Sequence, residues 1–291
     1  MGKENTTSWT VFLLVGLQHQ KLPTIFLSVI LFMFAIAVMG NGLLLFLIRT
    51  DSGLQTPMYF FLSQLSIMDL CQVLTIFPKM TVNFVTQSYG ISLYGCAVQI
   101  FVTLTVGGAE CFILTTMSYD RYVAICRPLQ YPVLMRRKIC YILSGCAWFG
   151  SSLQAMTNAL YVLPLPYCKS NVIIQYFCEY PALLRLSCSD YSTYEKITYL
   201  ETSLVLLIPL SIVLTSYIAI LLQVLRSHSS ERSHKALGTC LSHLFVKSAK
   251  VQQSQTSSPD PRPEGGSVHL SYAGKEPRGT DILNRLKFVV K

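Results

Sequence analysis

Hydrophobic positions along this chain gather into five long runs with almost no charge: "TIFLSVILFMFAIAVMGNGLLLFLI" (24–48), "PMYFFLSQLSIMDLCQVLTIFP" (57–78), "CAVQIFVTLTVGGAECFILTTMS" (96–118), "ICYILSGCAWFGSSLQAMTNALYVL" (139–163) and "ITYLETSLVLLIPLSIVLTSYIAILLQVL" (197–225). A helix needs about 20 mostly apolar residues to cross a bilayer, so each run predicts a spanning helix. The second run holds a single Asp, the third and fifth a single Glu each. A sixth apolar stretch, "ALGTCLSHLFV" (236–246), is cut short by Lys247 and Lys250 and is too short to span. Beyond it, "QQSQTSSPDPRPEGGS" (252–267) offers no apolar side chain larger than proline's, a composition that predicts disorder.

The expected fold is an all-α membrane protein. It has an extracellular N-terminus (1–23), a bundle (24–246) of five complete spans and a stub of a sixth helix (236–246), and a polar cytoplasmic tail (247–291). Composition agrees: 52% hydrophobic residues, 13% charged residues and a mean hydropathy of +0.46 exclude an ordinary soluble domain.

Charge then orients the runs, because cytoplasmic loops collect Lys and Arg. The connections after runs one, three and five carry Arg49, then Arg121, Arg127, Arg136, Arg137 and Lys138, then Arg226, Arg232 and Lys235. The opposite side carries Lys3, Lys21, Lys79, Lys169, Arg185 and Lys196. The bias predicts an outside N-terminus, with the bilayer rather than a nucleic acid as the partner of the basic residues. It also decides between two short motifs. "MGKENT" fits a myristoylation signal and "NTT" at Asn5 a glycosylation acceptor, and an outside N-terminus favours the glycan.

Cys168, Cys178 and Cys188 lie evenly spaced in one outer connection, and Cys96 opens the third run on the same side. Four cysteines in an oxidising compartment allow three pairings. The other six, Cys71, Cys111, Cys126, Cys140, Cys146 and Cys240, read as small apolar fillers.

Two carboxyls fall at similar depth. Asp69 lies 12 residues in from Pro57 and Glu110 lies 11 residues from Arg121, about 18 Å and about 16 Å of helix. If they face each other, both cannot stay ionised unaided in a low-dielectric bundle, so a shared proton or a sodium-like cation is expected between them. No other metal-ligand cluster, phosphate loop or nucleophile with a base stands out, and no enzyme activity is expected.

The most specific stretch is "MSYDRYVAICRPLQYP" (117–132) at the inner end of the third run. With Gly40 and Asn41, "PMYFFLSQLSIMDL" (57–70), Trp148, the three-cysteine connection, Ser216 and Tyr217, and "KALGTCLSHL" (235–244), it resembles the odorant receptors, the olfactory branch of the rhodopsin-like G-protein-coupled receptors. The resemblance implies disulfides Cys96–Cys178 and Cys168–Cys188. It implies an Asp120–Arg121–Tyr122 triplet in which Arg121 meets an olfactory-type stimulatory G protein, faced by Tyr217, and a polar core at Asn41 and Asp69. It also implies a small, mostly apolar odorant in the outer half, near Thr103, Leu104, Gly107, Gly108, Glu201 and Val205. Gly107 and Gly108 either open volume for the ligand or serve close helix contact.

The family pattern stops near residue 246, so the rest of a sixth helix and a seventh are missing from the expected fold. Impaired signalling follows, because the element that swings outward on activation is lost. The alternative is a non-signalling truncated receptor that associates with intact receptors, or a degraded remnant. Near the end, "TDILNRLKFVVK" (280–291) spaces Ile282, Leu283, Leu286, Val289 and Val290 as an amphipathic helix would, against a disordered tail.

Overall fold

The computed structural model describes residues 9–16 and 24–226. In chain order they form strand β1 (Val11–Leu14), helices α1 (Thr24–Thr50) and α2 (Pro57–Thr86), strand β2 (Gly90–Ser92), helices α3 (Leu93–Cys126), α4 (Tyr131–Leu134) and α5 (Arg137–Val162), strand β3 (Val172–Ile173), and helices α6 (Tyr180–Leu186) and α7 (Ser192–Arg226). Asn5, the 236–246 stretch and the 247–291 tail lie outside the described residues.

Four of the five apolar runs are outrun by their helices. α2 continues to Thr86 rather than ending at Pro78, α3 covers Leu93–Cys126 rather than 96–118, α1 reaches Thr50, and α7 begins at Ser192. The apolar criterion reads only the part of a helix in hydrocarbon. At 34 residues α3 is about 51 Å long, enough to pass through both headgroup layers. Pro57 occupies the first turn of α2, where its missing N–H costs nothing.

α1, α2, α3 and α7 are long and apolar enough to cross a membrane. α5 coincides with the fourth run and has the length, but falls short of that apolarity. The polar residues responsible point inward: Ser144, Ser151 and Asn158, seven apart, are all buried, with Ala147, Ala155 and Ala159 beside them. Small side chains on this face let the α5 backbone come close to α3, its main neighbour. α3 is the hub of the bundle and packs on α2, α5 and α7, whereas α1 packs chiefly on α2.

The fold is not purely helical. β1 pairs antiparallel with β2 and parallel with β3, so the segment before α1 runs through the middle of a three-stranded sheet. Along β1 exposure alternates, with Phe12 and Leu14 buried and Val11 and Leu13 outside, as a half-buried strand demands. Phe12 packs edge-on against the Tyr167 ring, centroids 5.0 Å apart. Past β1, Gly16 passes so near the connection between β3 and α6 that a Cβ there would stand 2.7 Å from the Gln175 carbonyl carbon, which admits only glycine. Lys79 of α2 donates to the Gly90 carbonyl at 2.6 Å, tying helix to sheet.

Candidate functional site

Two disulfides fasten the sheet end. Cys96 on α3 is joined to Cys178, and Cys168 to Cys188. Between them Tyr167 is fully buried, its hydroxyl donating to the Val162 carbonyl at 2.6 Å, and burial holds that phenol well above its ordinary pKa.

Gln99, one turn past Cys96, belongs to no motif in the sequence. Its amide is buried and used at both ends: Nε2 donates to the Thr75 carbonyl of α2 at 3.3 Å, and Oε1 accepts from the Cys178 backbone N–H at 3.0 Å. One side chain therefore couples α2, α3 and the disulfide-bonded connection. Its only sequence signal is a lone amide in an apolar run.

The residues expected around a ligand lie on two neighbouring helices. On α3, Thr103, Leu104, Gly107 and Gly108 share one face by their i, i+1, i+4, i+5 spacing. Thr103 Oγ1 is buried with no hydrogen-bond partner, and Leu104 packs under the sheet-end core. The two glycines separate: Gly107 is exposed with nothing within 4 Å of a Cβ, whereas a Cβ on Gly108 would stand 2.8 Å from Ser151 Oγ of α5. Gly108 thus belongs to the α3–α5 contact, and Gly107 leaves open space. On α7, Glu201 is exposed and Val205 half-buried. A further polar group at this level is Gln72 of α2, which is buried with both amide atoms unpartnered. Counted by helical rise from the Gln99–Thr75 bond along antiparallel α2 and α3, Gln72 falls level with residues 102–103 of α3.

Deeper in, Asn41 Nδ2 donates to the Ala37 carbonyl at 3.0 Å, a bond internal to α1. Asp69 and Glu110 are half-buried, and neither is without a partner. Among the described residues no group of three or more His, Cys, Asp or Glu side chains is placed to hold a metal ion.

At the far end, Asp120 is buried and Arg121 half-buried. Asp120 Oδ1 accepts from the Tyr131 hydroxyl at 3.0 Å, which ties α3 to α4, and Arg121 reaches across to the Met58 sulfur on α2. Burial first, then the adjacent Asp120 carboxylate, push the Tyr131 phenol up to about 12. Tyr122 packs against the cluster formed by Val213, Tyr217 and Ile220 of α7, so both expected tyrosines belong to one α3–α7 contact. Trp148 Nε1 donates to Gln64 Oε1 at 3.1 Å, joining α5 to the 57–70 stretch.

The segments that carry this geometry also carry the likeness to known proteins. The model of the 7 transmembrane receptor (rhodopsin family) matches residues 40–250. Human Olfactory receptor 2T1 is 45% identical over 247 residues, 84% of this chain and 67% of that one. The chain belongs to the olfactory receptors. Human Olfactory receptor 2T27 is 45% identical over 249 residues, 85% of this chain and 78% of its own, and human Olfactory receptor 2T11 is 48% identical over 244 residues, 84% and 77%. Like its relatives in the rhodopsin family, this olfactory-receptor chain is a membrane receptor by lineage and not an enzyme.

Proposed function

We propose that this chain recognises small, mostly apolar volatile molecules in the half of the bundle nearer the sheet, with that end outside the cell and α5 crossing the membrane alongside the other four long helices. The observation that carries this is Thr103: a buried, unpartnered hydroxyl beside the open space at Gly107, on a helix locked from above by the Cys96–Cys178 bond. Unpartnered Gln72 adds a donor and an acceptor at the same level, so an odorant bearing one hydroxyl or carbonyl group on an apolar body is favoured. Asp69 and Glu110 would share a proton or a sodium-like cation below it.

Coupling to a stimulatory G protein would run through Arg121 at the far end, with Tyr122 and Tyr217 carrying the contact between α3 and α7. A second reading, association with an intact receptor of the same family, is favoured by the flank that the described residues leave exposed. α1 has α2 as its chief neighbour, and Glu201 is exposed on a membrane-spanning helix, where lipid cannot satisfy it. The experiment is an odorant screen with a cAMP readout in cells expressing this chain alone. A ligand-evoked rise lost in Thr103→Val supports recognition with coupling. No rise, together with co-purification of an intact olfactory receptor, moves the function to the second reading.

A further inference from the structure

We infer that the far end of the bundle holds a binding site for the headgroup of an anionic phospholipid. The inference rests on the reading above, in which that end faces the cytosol.

Between the starts of α2 and α5 lies a cavity of about 50 Å³, lined among others by Gln55, Thr56, Phe60, Arg137 and Tyr141. It has room for roughly four water-sized groups, enough for a phosphate and far short of an odorant. Its walls are electropositive. Arg137 is exposed and has no hydrogen-bond or ion-pair partner among the described residues. Thr56 precedes α2 without using its hydroxyl as a cap, so that hydroxyl can turn to a ligand. Both helices also begin here, and the partial positive charge of a helix start adds to that of the guanidinium. Among the described residues no carboxylate lines the cavity. A negatively charged group of phosphate size fits the charge and the space.

Its position selects a lipid over a soluble anion. The cavity sits where two long helices begin, which in a bilayer-spanning bundle is the headgroup region, and the Phe60 and Tyr141 rings meet edge-on at 4.9 Å beside it. From there α5 presents Tyr141, Gly145, Phe149 and Leu153 outward at four-residue spacing, one strip along the helix. Gly145 has nothing within 4 Å of a Cβ, so the strip carries a notch between aromatic rings. An acyl chain lying in that strip would hold its headgroup at Arg137. Basic pockets between spanning helices on the cytoplasmic side are where anionic headgroups bind.

Trp148 lies on the same helix, and Trp9 is the one other tryptophan of the chain. The full chain carrying Trp9→Phe, in phosphatidylcholine vesicles, therefore reports this flank by Trp148 fluorescence. Phosphatidylserine with brominated acyl chains should quench at a much lower mole fraction than brominated phosphatidylcholine. Arg137→Gln should raise the phosphatidylserine fraction needed about tenfold, the loss of one charge-assisted hydrogen bond. Lys138→Gln, which removes the neighbouring charge outside the cavity, should leave it unchanged. If Arg137→Gln proves unstable by circular dichroism, Thr56→Val supplies the same comparison with a smaller shift in the same direction. Equal quenching by the two lipids overturns the proposal, as does an equal shift in the Lys138 variant. Competition by inorganic phosphate overturns it in favour of a soluble anion. The vesicles present both lipids to both ends, so an inverted orientation in cells, read separately by protease accessibility, does not alter this readout.

Discussion

At the sheet end, two disulfides, three paired strands and a core built on Phe12, Tyr167 and Leu183 bind the connections to the helices. At the far end, among the described residues, side chains tie the Asp120–Arg121–Tyr122 triplet of α3 to its neighbours: one hydrogen bond from Tyr131, one contact to Met58 and one small cluster with α7. The difference places covalent and backbone bonds where the proposed ligand is recognised, and single, breakable contacts where the proposed coupling occurs. Shape-selective recognition needs preorganisation, while a two-state element needs contacts that can exchange.

Cutting the covalent lock should have the largest effect. Cys178→Ser opens the bond that spans 82 residues, and its loss should cost about 4 kcal/mol and most of the surface expression, read by thermal unfolding and by labelling of an N-terminal tag. Arg121→Gln should leave both nearly unchanged while altering any coupling. Equal loss of expression in the two variants would erase the distinction between the ends.

The two glycines sharpen the comparison within α3. Gly108→Ala should destabilise by about 1–3 kcal/mol, because its methyl meets Ser151 2.8 Å away. Gly107→Ala has open space and should stabilise the helix by about 0.5–1 kcal/mol while weakening ligand response. Thermal unfolding of the pair reads opposite signs.

Gln99→Leu should come next, at about 2 kcal/mol, since it leaves the Cys178 N–H and the Thr75 carbonyl without their partner. Its signature is faster hydrogen exchange at the backbone of Cys178.

The weakest of the expected hydrogen-bond losses tests the far end. Tyr131→Phe should cost about 1.5 kcal/mol by removing the hydrogen bond to Asp120. Because the folded phenol titrates near 12 rather than 10.0, its contribution is whole below pH 10 and falls away as pH rises towards 12. The variant should lack that part of the alkaline loss in a pH series of unfolding curves.

The helices were legible because a bilayer imposes long, charge-poor runs, and the loop cysteines and the 117–132 stretch marked both ends of α3. What escaped was whatever apolarity does not encode. α5 turns Ser144, Ser151 and Asn158 inward and so loses apolarity without ceasing to be a long helix. The strands are four, three and two residues long, too short for alternation to register before the sheet is seen. Gln99 and Tyr131 act through partners distant in sequence or in another helix. Gly107 and Gly108, adjacent and identical, take different surroundings that depend on where α5 lies.

The most direct measurement of recognition at the sheet end is ligand-induced thermal stabilisation of the purified full chain across a panel of small volatile compounds, with no G protein present. A compound with one polar group should raise the melting temperature, Thr103→Val and Gln72→Leu should abolish the rise, and Arg121→Gln should keep it. Stabilisation that survives the Thr103 and Gln72 changes, or that vanishes with Arg121→Gln, would contradict the account.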